Sequence, residues 1–392
     1  MKPSNFFHLD VVTVTSDTEF AALKSAWHAL ERACIAPSVF LSHDWFDAAW
    51  AWRRLDAVLQ LQVASRGTQV VGIFPLILLQ DEKKRTRRLE LLTVPDTHVV
   101  DLIVRPADLA EVSEAIAEAL AARSDWDALQ LDHISPGGAA AQALLPAMQR
   151  RGFRLDAHDD RSNPFISLDG GWSEYYNTRS RRLKKANNNA VNRLKKTGEV
   201  HIEWLGSDAS DKSRFELAID TAIDISSRSW KSTTPFALNQ TGPQAFIRRL
   251  SDAARDRGWF SVWLLYVDQR PLAMEYQLIY EGDVHALRAD FDAGCEETSP
   301  GSYLFRHLLE ASFGRGMSRY YMGPGENAYK MRWTDRAEPL KRVTIYNRTM
   351  RGEFSWFSDV KLKPPLRQMR DRFLSSQQDL RAPTTPEDEL PR

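Results

Sequence analysis

The sequence contains little of what several protein classes depend on. Among its 392 residues there are two cysteines, Cys34 and Cys295, too few for a disulfide scaffold or a cysteine-based zinc site. The nine histidines form no HxH, HxxxH or HExxH spacing, so the sequence predicts no metal centre. The longest apolar run, Val70 to Leu79, is about half the roughly 20 residues that a membrane-spanning helix requires.

Neither sign of charge is in excess. Lys and Arg together number 52, as do Asp and Glu, so the formal net charge is zero. This balance argues against a protein that binds nucleic acid or a membrane through bulk charge. The N-terminus has no basic segment followed by an apolar one, so no signal peptide is predicted. With 43% hydrophobic and 27% charged residues, we expect a soluble, cytoplasmic protein of about two to three domains.

What the sequence does contain is an alternation of strand and helix patterns. Apolar residues at helical spacing predict helices over Ser42 to Arg54, Asp108 to Arg123, Ser213 to Trp230, Gln244 to Arg257 and Tyr303 to Arg315. Apolar runs bounded by turn residues predict strands over Leu59 to Ser65, Gln69 to Leu79, Leu89 to Val94, Val99 to Val104, Ala128 to Ile134, Phe260 to Val267, Leu272 to Tyr280, Val284 to Phe291 and Arg319 to Met322.

The two halves of the chain repeat one order of elements. LQLQVASRGTQVVGIFPLILL corresponds to FSVWLLYVDQRPLAMEYQLIY, and DALQLDHISPGG to MSRYYMGPGEN. We interpret this as two copies of an α/β unit, each a mixed, twisted sheet flanked by helices; the alternative is chance similarity between two βαβ units. The predicted units are residues 1–165 and 172–360, with a boundary near Ser162 to Gly171. The polar, proline-rich segment Ser375 to Arg392 predicts a disordered tail.

A small-residue loop opens the last long helix. Backbone N–H groups of Ser299-Pro300-Gly301-Ser302 can approach an anion, and the helix dipole favours negative charge there. We therefore predict cofactor binding, with a pyrophosphate as one ligand that fits, at Ser299, Gly301, Ser302 and Tyr303. The alternative is that Pro300 only begins the helix and Ser299 only caps it. In the first copy, Asp108 and Glu111 occupy the corresponding turn, so the second copy is expected to bind the anion.

Two carboxyl groups are candidates for acid–base chemistry. Glu275 lies in an otherwise apolar strand, where burial would raise its pKa to a value suited to a general base. The alternative is an edge-strand carboxylate that faces water. Asp290 shares a strand face with Arg288 and could act as a base or hold a water; the alternatives are an Arg288–Asp290 pair or a solvated strand end.

Tyr329 and Lys330 follow a glycine-rich turn. A phenol can act as a proton donor, and Lys330 could anchor a phosphate or polarise a carbonyl. The alternative is that Tyr329 packs with Trp333 while Lys330 points to water.

A basic segment lies between the two copies. Arg179 to Lys196 holds eight Lys and Arg residues and no acid, and predicts a helix outside both sheets. It would either bind a polyanion or form a solvated connecting helix. Because Thr178 to Val200 contains no aromatic residue, stacking on nucleic-acid bases is not expected there.

Taken in order, these motifs resemble the acetyltransferase domain of the GNAT superfamily. The match is carried by Trp230, Ser299-Pro300-Gly301, Gly323-Pro324-Gly325 and Tyr329-Lys330 with Trp333. More narrowly, it resembles the branch that includes the cellulose-biosynthesis protein CelD and is related to Fem-type transferases. The first copy matches the family's degenerate half more loosely, through Phe40, Trp45, Trp50 and Gly72-Ile73-Phe74-Pro75-Leu76, so the likeness spans about residues 20 to 350.

The resemblance implies a tandem GNAT-like fold and an acyltransferase that uses acetyl-CoA or another acyl-CoA as co-substrate. Transfer would be direct, without a covalent enzyme intermediate, to a small-molecule or glycan-precursor acceptor in cell-envelope or exopolysaccharide synthesis. Two features depart from the family: the acyl-CoA loop is short, and Ser226 and Ser227 stand before Trp230 where a histidine is frequent.

Two other functions remain open at this point. One is a Fem-type aminoacyl transferase that uses aminoacyl-tRNA, although Asp208 to Trp259 is too short for that class's helical hairpin. The other is a non-catalytic adaptor in polysaccharide synthesis.

Overall fold

A computed structural model describes residues 9–79, 86–207 and 211–362. The predicted tail, Ser375 to Arg392, lies outside these ranges. Within them the strands are β1 Asp10–Val14, β2 Ala57–Leu59, β3 Leu61–Arg66, β4 Gln69–Phe74, β5 Leu76–Leu79, β6 Arg88–Leu91, β7 Ile103–Val104, β8 Ala128–Ile134, β9 Arg154–Asp159, β10 Asn163–Ser167, β11 Val200–Gly206, β12 Phe260–Val267, β13 Arg270–Tyr280, β14 Asp283–Phe291, β15 Arg319–Tyr321, β16 Ala337–Glu338 and β17 Lys341–Tyr346. The helices are α1 Asp17–Ala22, α2 Lys24–Glu31, α3 His43–Arg53, α4 Leu109–Ala121, α5 Leu145–Arg150, α6 Trp172–Asn177, α7 Arg181–Lys195, α8 Lys212–Ser227, α9 Thr241–Arg257, α10 Pro300–Gly314 and α11 Met350–Trp356.

The second half of the chain forms a seven-stranded sheet in the order β11-β12-β13-β14-β15-β10-β16. Its central strands are apolar on both faces because helices cover both. Side chains of alternate β12 residues, Val262 and Leu264, join the core under α8 and α9, while Trp263 and Leu265 join the core under α10. The sheet is mixed, since β14 and β15 are parallel and the other neighbours antiparallel.

Two irregularities of β14 open this sheet. Strands β14 and β15 pair only over Asp283–His285 and Arg319–Tyr321, after which β14 continues to Phe291 without that neighbour. On the other side, Arg288 and Ala286 pair with consecutive residues of β13, so Leu287 is an extra residue, a β-bulge. A bulge bends its strand and redirects its peptide groups. The result is a cleft beside residues 286–291.

The first half contains two sheets rather than the single mixed sheet expected of that unit. They have the orders β1-β3-β4-β7 and β2-β5-β6-β8-β17-β9. The strand predicted over Gln69 to Leu79 is divided at Pro75, and its two parts, β4 and β5, lie in different sheets. Proline has no N–H for a sheet ladder, which fits a break at this position. The strand predicted over Val99 to Val104 is reduced to Ile103–Val104.

The predicted α/β class, with mixed sheets flanked by helices, is confirmed. Two strands connect the halves in a way the repeat did not predict. β10 pairs with β15 and β16 in the seven-stranded sheet, while β17 pairs with β8 and β9 in the first half. β10 therefore belongs to the sheet of the second half, and β17 belongs to a sheet of the first half. None of the helices in the described ranges has the length and apolar character that a membrane crossing needs.

Candidate active site

A cavity of about 400 Å³ lies where α7, β13, β14 and the start of α10 meet. Apolar side chains form much of its wall, and polar groups enter from the strands and from the segment after β15. Its lining residues are Leu183, Ala186, Asn187, Trp230, Lys231, Met274, Glu275, Ala289, Asp290, Phe291, Gly301, Ser302, Leu304, Phe305, Asn327, Tyr329, Arg332 and Trp333. We call it the larger cavity.

A second cavity of about 240 Å³ adjoins it where β14 has parted from β15. This smaller cavity is bordered by Ala286, Leu287 and Arg288, together with Tyr320, Met322 and Lys330. The two cavities share Lys231, Glu275, Ala289, Asn327 and Tyr329. One carboxyl group and one phenol thus stand where the two spaces meet.

The four predicted cofactor residues fall in different environments. Gly301 and Ser302 line the larger cavity, and the first turn of α10 contains no acid. Ser299 has φ +57° and receives a hydrogen bond from Arg193 of α7, with 3.2 Å between Nη2 and Oγ. Tyr303 is buried in the core, stacks on His307 and lines neither cavity. A Cβ at Gly301 would lie 3.2 Å from Phe291 Cδ1, so a side chain there would crowd the cavity wall.

Glu275 is buried at the centre of the sheet, with 3% of its surface exposed. The alternative of an edge-strand carboxylate facing water is wrong, because β13 lies between β12 and β14. Its Oε1 accepts hydrogen bonds from Gln277 Nε2, at 2.7 Å, and from the Tyr320 hydroxyl. Burial raises the pKa of Glu275 to about 7, although both hydrogen bonds oppose the shift. The carboxyl group can therefore change protonation near neutral pH.

Tyr329 borders both cavities and is 40% exposed as a residue. Burial of its hydroxyl, with a further contribution from the Glu275 charge, raises the pKa of Tyr329 well above its usual value. The Tyr329 ring meets the Phe305 ring edge-on, with 5.9 Å between their centroids. Trp333 also packs against the Phe305 ring, with 5.0 Å between those two centroids. The phenol therefore stays protonated at neutral pH and can donate a proton into the cavity.

Lys330 does not point to water. It is 8% exposed, and its Nζ donates to the carbonyl oxygens of Gly323, at 2.7 Å, and Pro324, at 3.4 Å. Burial, with smaller effects of Arg161 and Lys231, lowers the pKa of Lys330 to about 8. The ammonium group thus holds the turn after β15 and also borders the smaller cavity.

Asp290 forms an ion pair that the sequence did not predict. Its carboxylate accepts a hydrogen bond from Lys231 Nζ at 2.7 Å, and the same ammonium donates to the Ala289 carbonyl at 3.0 Å. The alternatives of an Arg288–Asp290 pair or a solvated strand end are both wrong, since Arg288 pairs with Asp96 instead and Asp290 is buried. Asp290 therefore fixes Lys231 at the junction of the cavities.

The sequence model of the family described as "Acetyltransferase (GNAT) domain" matches residues 181–331. Over these residues the chain resembles a GNAT-type acetyltransferase domain, and we call residues 181–331 the GNAT-type domain. The matched residues include α7, β13, β14, α10 and Lys330, all of which contribute to the walls of the two cavities.

Solved structures show the same fold over most of the chain. FemX is 11% identical, with a TM-score of 0.55 and coverage of 88% of this chain and 98% of FemX. The C-terminal domain (DUF2156) of a putative lysylphosphatidylglycerol synthetase from Agrobacterium fabrum is 13% identical, with a TM-score of 0.52 and coverage of 86% and 96%. A conserved protein of unknown function from Bacteroides thetaiotaomicron is 11% identical, with a TM-score of 0.50 and coverage of 86% and 100%. At such identities the likeness shows the fold alone; no curated protein matches the chain.

In the GNAT-type domain, the basic segment between the copies is helix α7, as predicted, and it lies outside the sheets. It packs on α10, and Leu183, Ala186 and Asn187 on its inner side line the larger cavity. Arg193 reaches Ser299 at the start of α10. Its basic residues therefore do not all point away from the cleft.

Sequence reasoning missed several residues of the GNAT-type domain that border the cavities, among them Lys231, Tyr320 and Asn327. Lys231 directly follows Trp230, and Asn327 lies inside the GPGxxxYK motif, so the resemblance carried a signal for both. Tyr320 had no signal beyond its place in a predicted strand, because its bond to Glu275 joins residues 45 positions apart.

One cluster of potential metal ligands occurs among the described residues, at His28, His43 and Asp44, whose ligand atoms lie within 4.8 Å of one another. It is not among the residues that line the two cavities. Lys24 and Arg257 lie 3.2 and 3.5 Å from the two Asp44 oxygens, so protein cations already compensate this carboxylate.

Proposed function

We propose that this chain is an acyl-CoA-dependent acyltransferase, with acetyl-CoA as the first donor to test. The acceptor would be an amine or hydroxyl group of a small molecule or glycan precursor in cell-envelope or exopolysaccharide synthesis, as in the CelD-like branch. The reaction would take place in the cytoplasm. The observation that carries the proposal is that Glu275, Tyr329 and the acid-free start of α10 border one cavity.

The start of α10 suits an anion. Its first-turn N–H groups are not used within the helix, and the helix dipole favours negative charge at this end. Gly301 leaves the approach free of a side chain, and Arg193 adds a positive charge beside Ser299. We place the pyrophosphate of the donor here, with Gly301 and Ser302 in contact and Ser299 and Tyr303 holding the turn and the helix in position.

From there the acyl group would extend toward the junction of the two cavities. A nucleophilic nitrogen or oxygen of the acceptor attacks the thioester carbonyl carbon, and Glu275 accepts the proton that it loses. The C–S bond then breaks, and Tyr329 donates its proton to the departing sulfur; proton exchange with solvent restores both groups. Peptide groups of β14 at the bulge, next to the carbonyl carbon, are available to stabilise the negative oxygen.

Lys231, Asp290 and Lys330 have supporting roles in this proposal. The Lys231–Asp290 pair keeps an ammonium group at the junction, and Lys330 secures the turn that leads to Tyr329. No covalent enzyme intermediate is required, because the acceptor attacks the thioester directly.

A Fem-type reaction with aminoacyl-tRNA is the second candidate, and the exposed basic face of α7 beside α10 favours it. Against it, α8 and α9 both pack on the seven-stranded sheet, which leaves neither free to form a projecting helical hairpin. A non-catalytic adaptor would bind neither donor.

The deciding experiment is calorimetry of the full chain with acetyl-CoA, longer acyl-CoAs and free CoA. We expect saturable binding by the parent and loss of binding in Gly301→Asp, which places bulk and negative charge at the phosphate position. Gly301→Ala is the matched control, since its Cβ requires Phe291 to shift by only a few tenths of an ångström and adds no charge. Binding by Gly301→Asp as tight as by the parent would place the cofactor elsewhere. No binding by the parent, with binding of aminoacyl-tRNA, would favour the second candidate.

A further inference from the structure

A loop of the first half, residues 95–98, reaches the cleft strand of the second. Asp96 is buried and pairs with Arg288 of β14: Arg288 Nη2 donates a hydrogen bond to Oδ2 at 2.6 Å, and Nε lies 2.5 Å from Oδ1 as an ion-pair contact. A hydrogen bond between a guanidinium and a carboxylate is shorter and stronger than one between neutral groups. The pair joins residues 192 positions apart and ties the two halves together at the cleft.

His98, two residues later, makes the second contact. Its Nε2 lies 3.1 Å from the Ala286 carbonyl oxygen, and its ring stacks on Phe40 at 4.6 Å. Because a carbonyl can only accept, Nε2 carries the proton and donates it. Burial, together with the neighbouring His285, lowers the pKa of His98 well below its usual value, so the ring is neutral at physiological pH. The donor is thus present across the working pH range.

The two contacts lie on either side of Leu287, the extra residue of the bulge. In this stretch β14 has already separated from β15, so no strand within the described ranges fixes its peptide groups on that side. On the side of β14 that faces away from β13, the loop of the first half therefore supplies a hydrogen bond and an ion pair beyond the point where β15 pairs with it. Residues 286–289 of this held segment line the smaller cavity.

We propose that Asp96 and His98 are positioning residues that fix the bulge at Leu287, so that the first half of the chain completes the acyl-group site of the second. This inference rests on the proposed function, since it assigns the held peptide groups to the acyl end of the donor. Residues 95–98 do not line the larger cavity, in which we place the pyrophosphate end at the start of α10. Loss of the loop contacts should therefore weaken binding of the acyl group and leave binding of the CoA portion unchanged.

The test compares acetyl-CoA with free CoA by calorimetry on the full chain. Asp96→Asn removes the charge that pairs with Arg288, and His98→Phe keeps the stacking on Phe40 but removes the donor. For each we expect acetyl-CoA affinity to fall about tenfold, as for the loss of roughly one hydrogen bond to a charged group, with CoA affinity unchanged. His98→Gln, which retains an N–H donor, should recover part of the loss.

Glu31→Gln is the matched control. Glu31, itself buried, forms another ion pair between the halves, with 2.7 Å between its Oε1 and Arg257 Nη2, and lines neither cavity. A merely structural role for the loop predicts that Asp96→Asn, His98→Phe and Glu31→Gln all lower thermal stability and leave the ratio of acetyl-CoA affinity to CoA affinity unchanged. Equal losses for both ligands, or no loss for either, in Asp96→Asn and His98→Phe would overturn the proposal.

Hydrogen exchange separates this proposal from the proposed function. Amides of residues 284–291 should exchange faster in Asp96→Asn and His98→Phe than in Glu31→Gln. If the parent binds neither ligand while this exchange pattern is found, the proposed function fails but the loop still fixes the strand. If exchange in this segment is the same in all variants, the positioning role is wrong whatever the ligands do.

Discussion

Glu275 is the residue whose chemistry depends most on its surroundings. The same carboxyl group on an edge strand would be ionised at neutral pH, whereas at the centre of the sheet its pKa is raised to about 7. Among the described residues, its hydrogen bonds from Tyr320 and Gln277 both end on Oε1, so Oε2 accepts none from the protein. Such a group can take a proton from an acceptor without first breaking a strong ion pair.

We expect Glu275→Gln to lower turnover about 10²–10⁴-fold, as for loss of a general base. In the parent, the rate should rise with pH through about 7, because only the ionised carboxylate is a base, and the variant should lose this rise. Steady-state rates across pH 5–9 measure both effects. A variant with the parent's rate and pH profile would exclude Glu275 as the base.

The same variant gives a control that needs no substrate. The folded-state pKa of Glu275 lies above the unfolded value of about 4.5, so the protonated form is favoured by folding. Stability from this group is fully present below pH 4.5 and is lost as the pH rises through about 7. Urea unfolding should show that decline in the parent and a smaller one in Glu275→Gln.

Tyr329→Phe tests the proton donor. We expect turnover to fall about 10²-fold while acetyl-CoA affinity stays nearly intact, the pattern of a group that acts mainly in the transition state. Tyr280→Phe, which also removes a hydroxyl from the second half but lines neither cavity, is the control and should match the parent. A large loss of affinity in Tyr329→Phe, with turnover preserved, would make Tyr329 a binding residue instead.

At the scale of elements, strong local patterns predicted well. The strand over Phe260 to Val267 has the bounds of β12, and the helix predicted over Arg179 to Lys196 is α7 with slightly shorter ends. Both have a periodicity that packing reinforces: β12 is covered on two faces, and α7 buries Leu183, Asn187, Ala190 and Leu194 on one.

Elements that depend on distant partners were not predicted. No strand was predicted at β10 or β17, both short, whose partners lie more than 150 residues away along the chain. The same reason limits how much of the candidate site could be predicted from the sequence. Glu275, Tyr329 and Gly301 were identifiable by residue type and motif, but the Lys231–Asp290 and Arg288–Asp96 pairs join residues 59 and 192 positions apart. Local pattern carries no information on such contacts.

At the scale of the whole molecule, strand β17 comes from the second half of the chain but pairs within a sheet of the first half. The stability of the first half therefore depends on the second. β17 lies between β8 and β9, and its Ile345 and Val343 are buried in the same core as Leu129 and Leu131. Removing a buried side chain from β17 should therefore destabilise the sheet of the first half, although β17 follows residues 181–331 in the chain.

Ile345→Ala tests this dependence. Because Ile345 is fully buried, we expect a loss of about 2–5 kcal/mol in the free energy of unfolding. Hydrogen exchange should rise most in β8 and β9, the neighbours of β17, and less in β12 and β13. Leu264→Ala, a buried residue of β12, is the matched control and should produce the opposite distribution. If Ile345→Ala instead raises hydrogen exchange mainly in β12 and β13, then β17 contributes its stability to the second half. In that case the pairing of β17 with β8 and β9 does not couple the stabilities of the two halves.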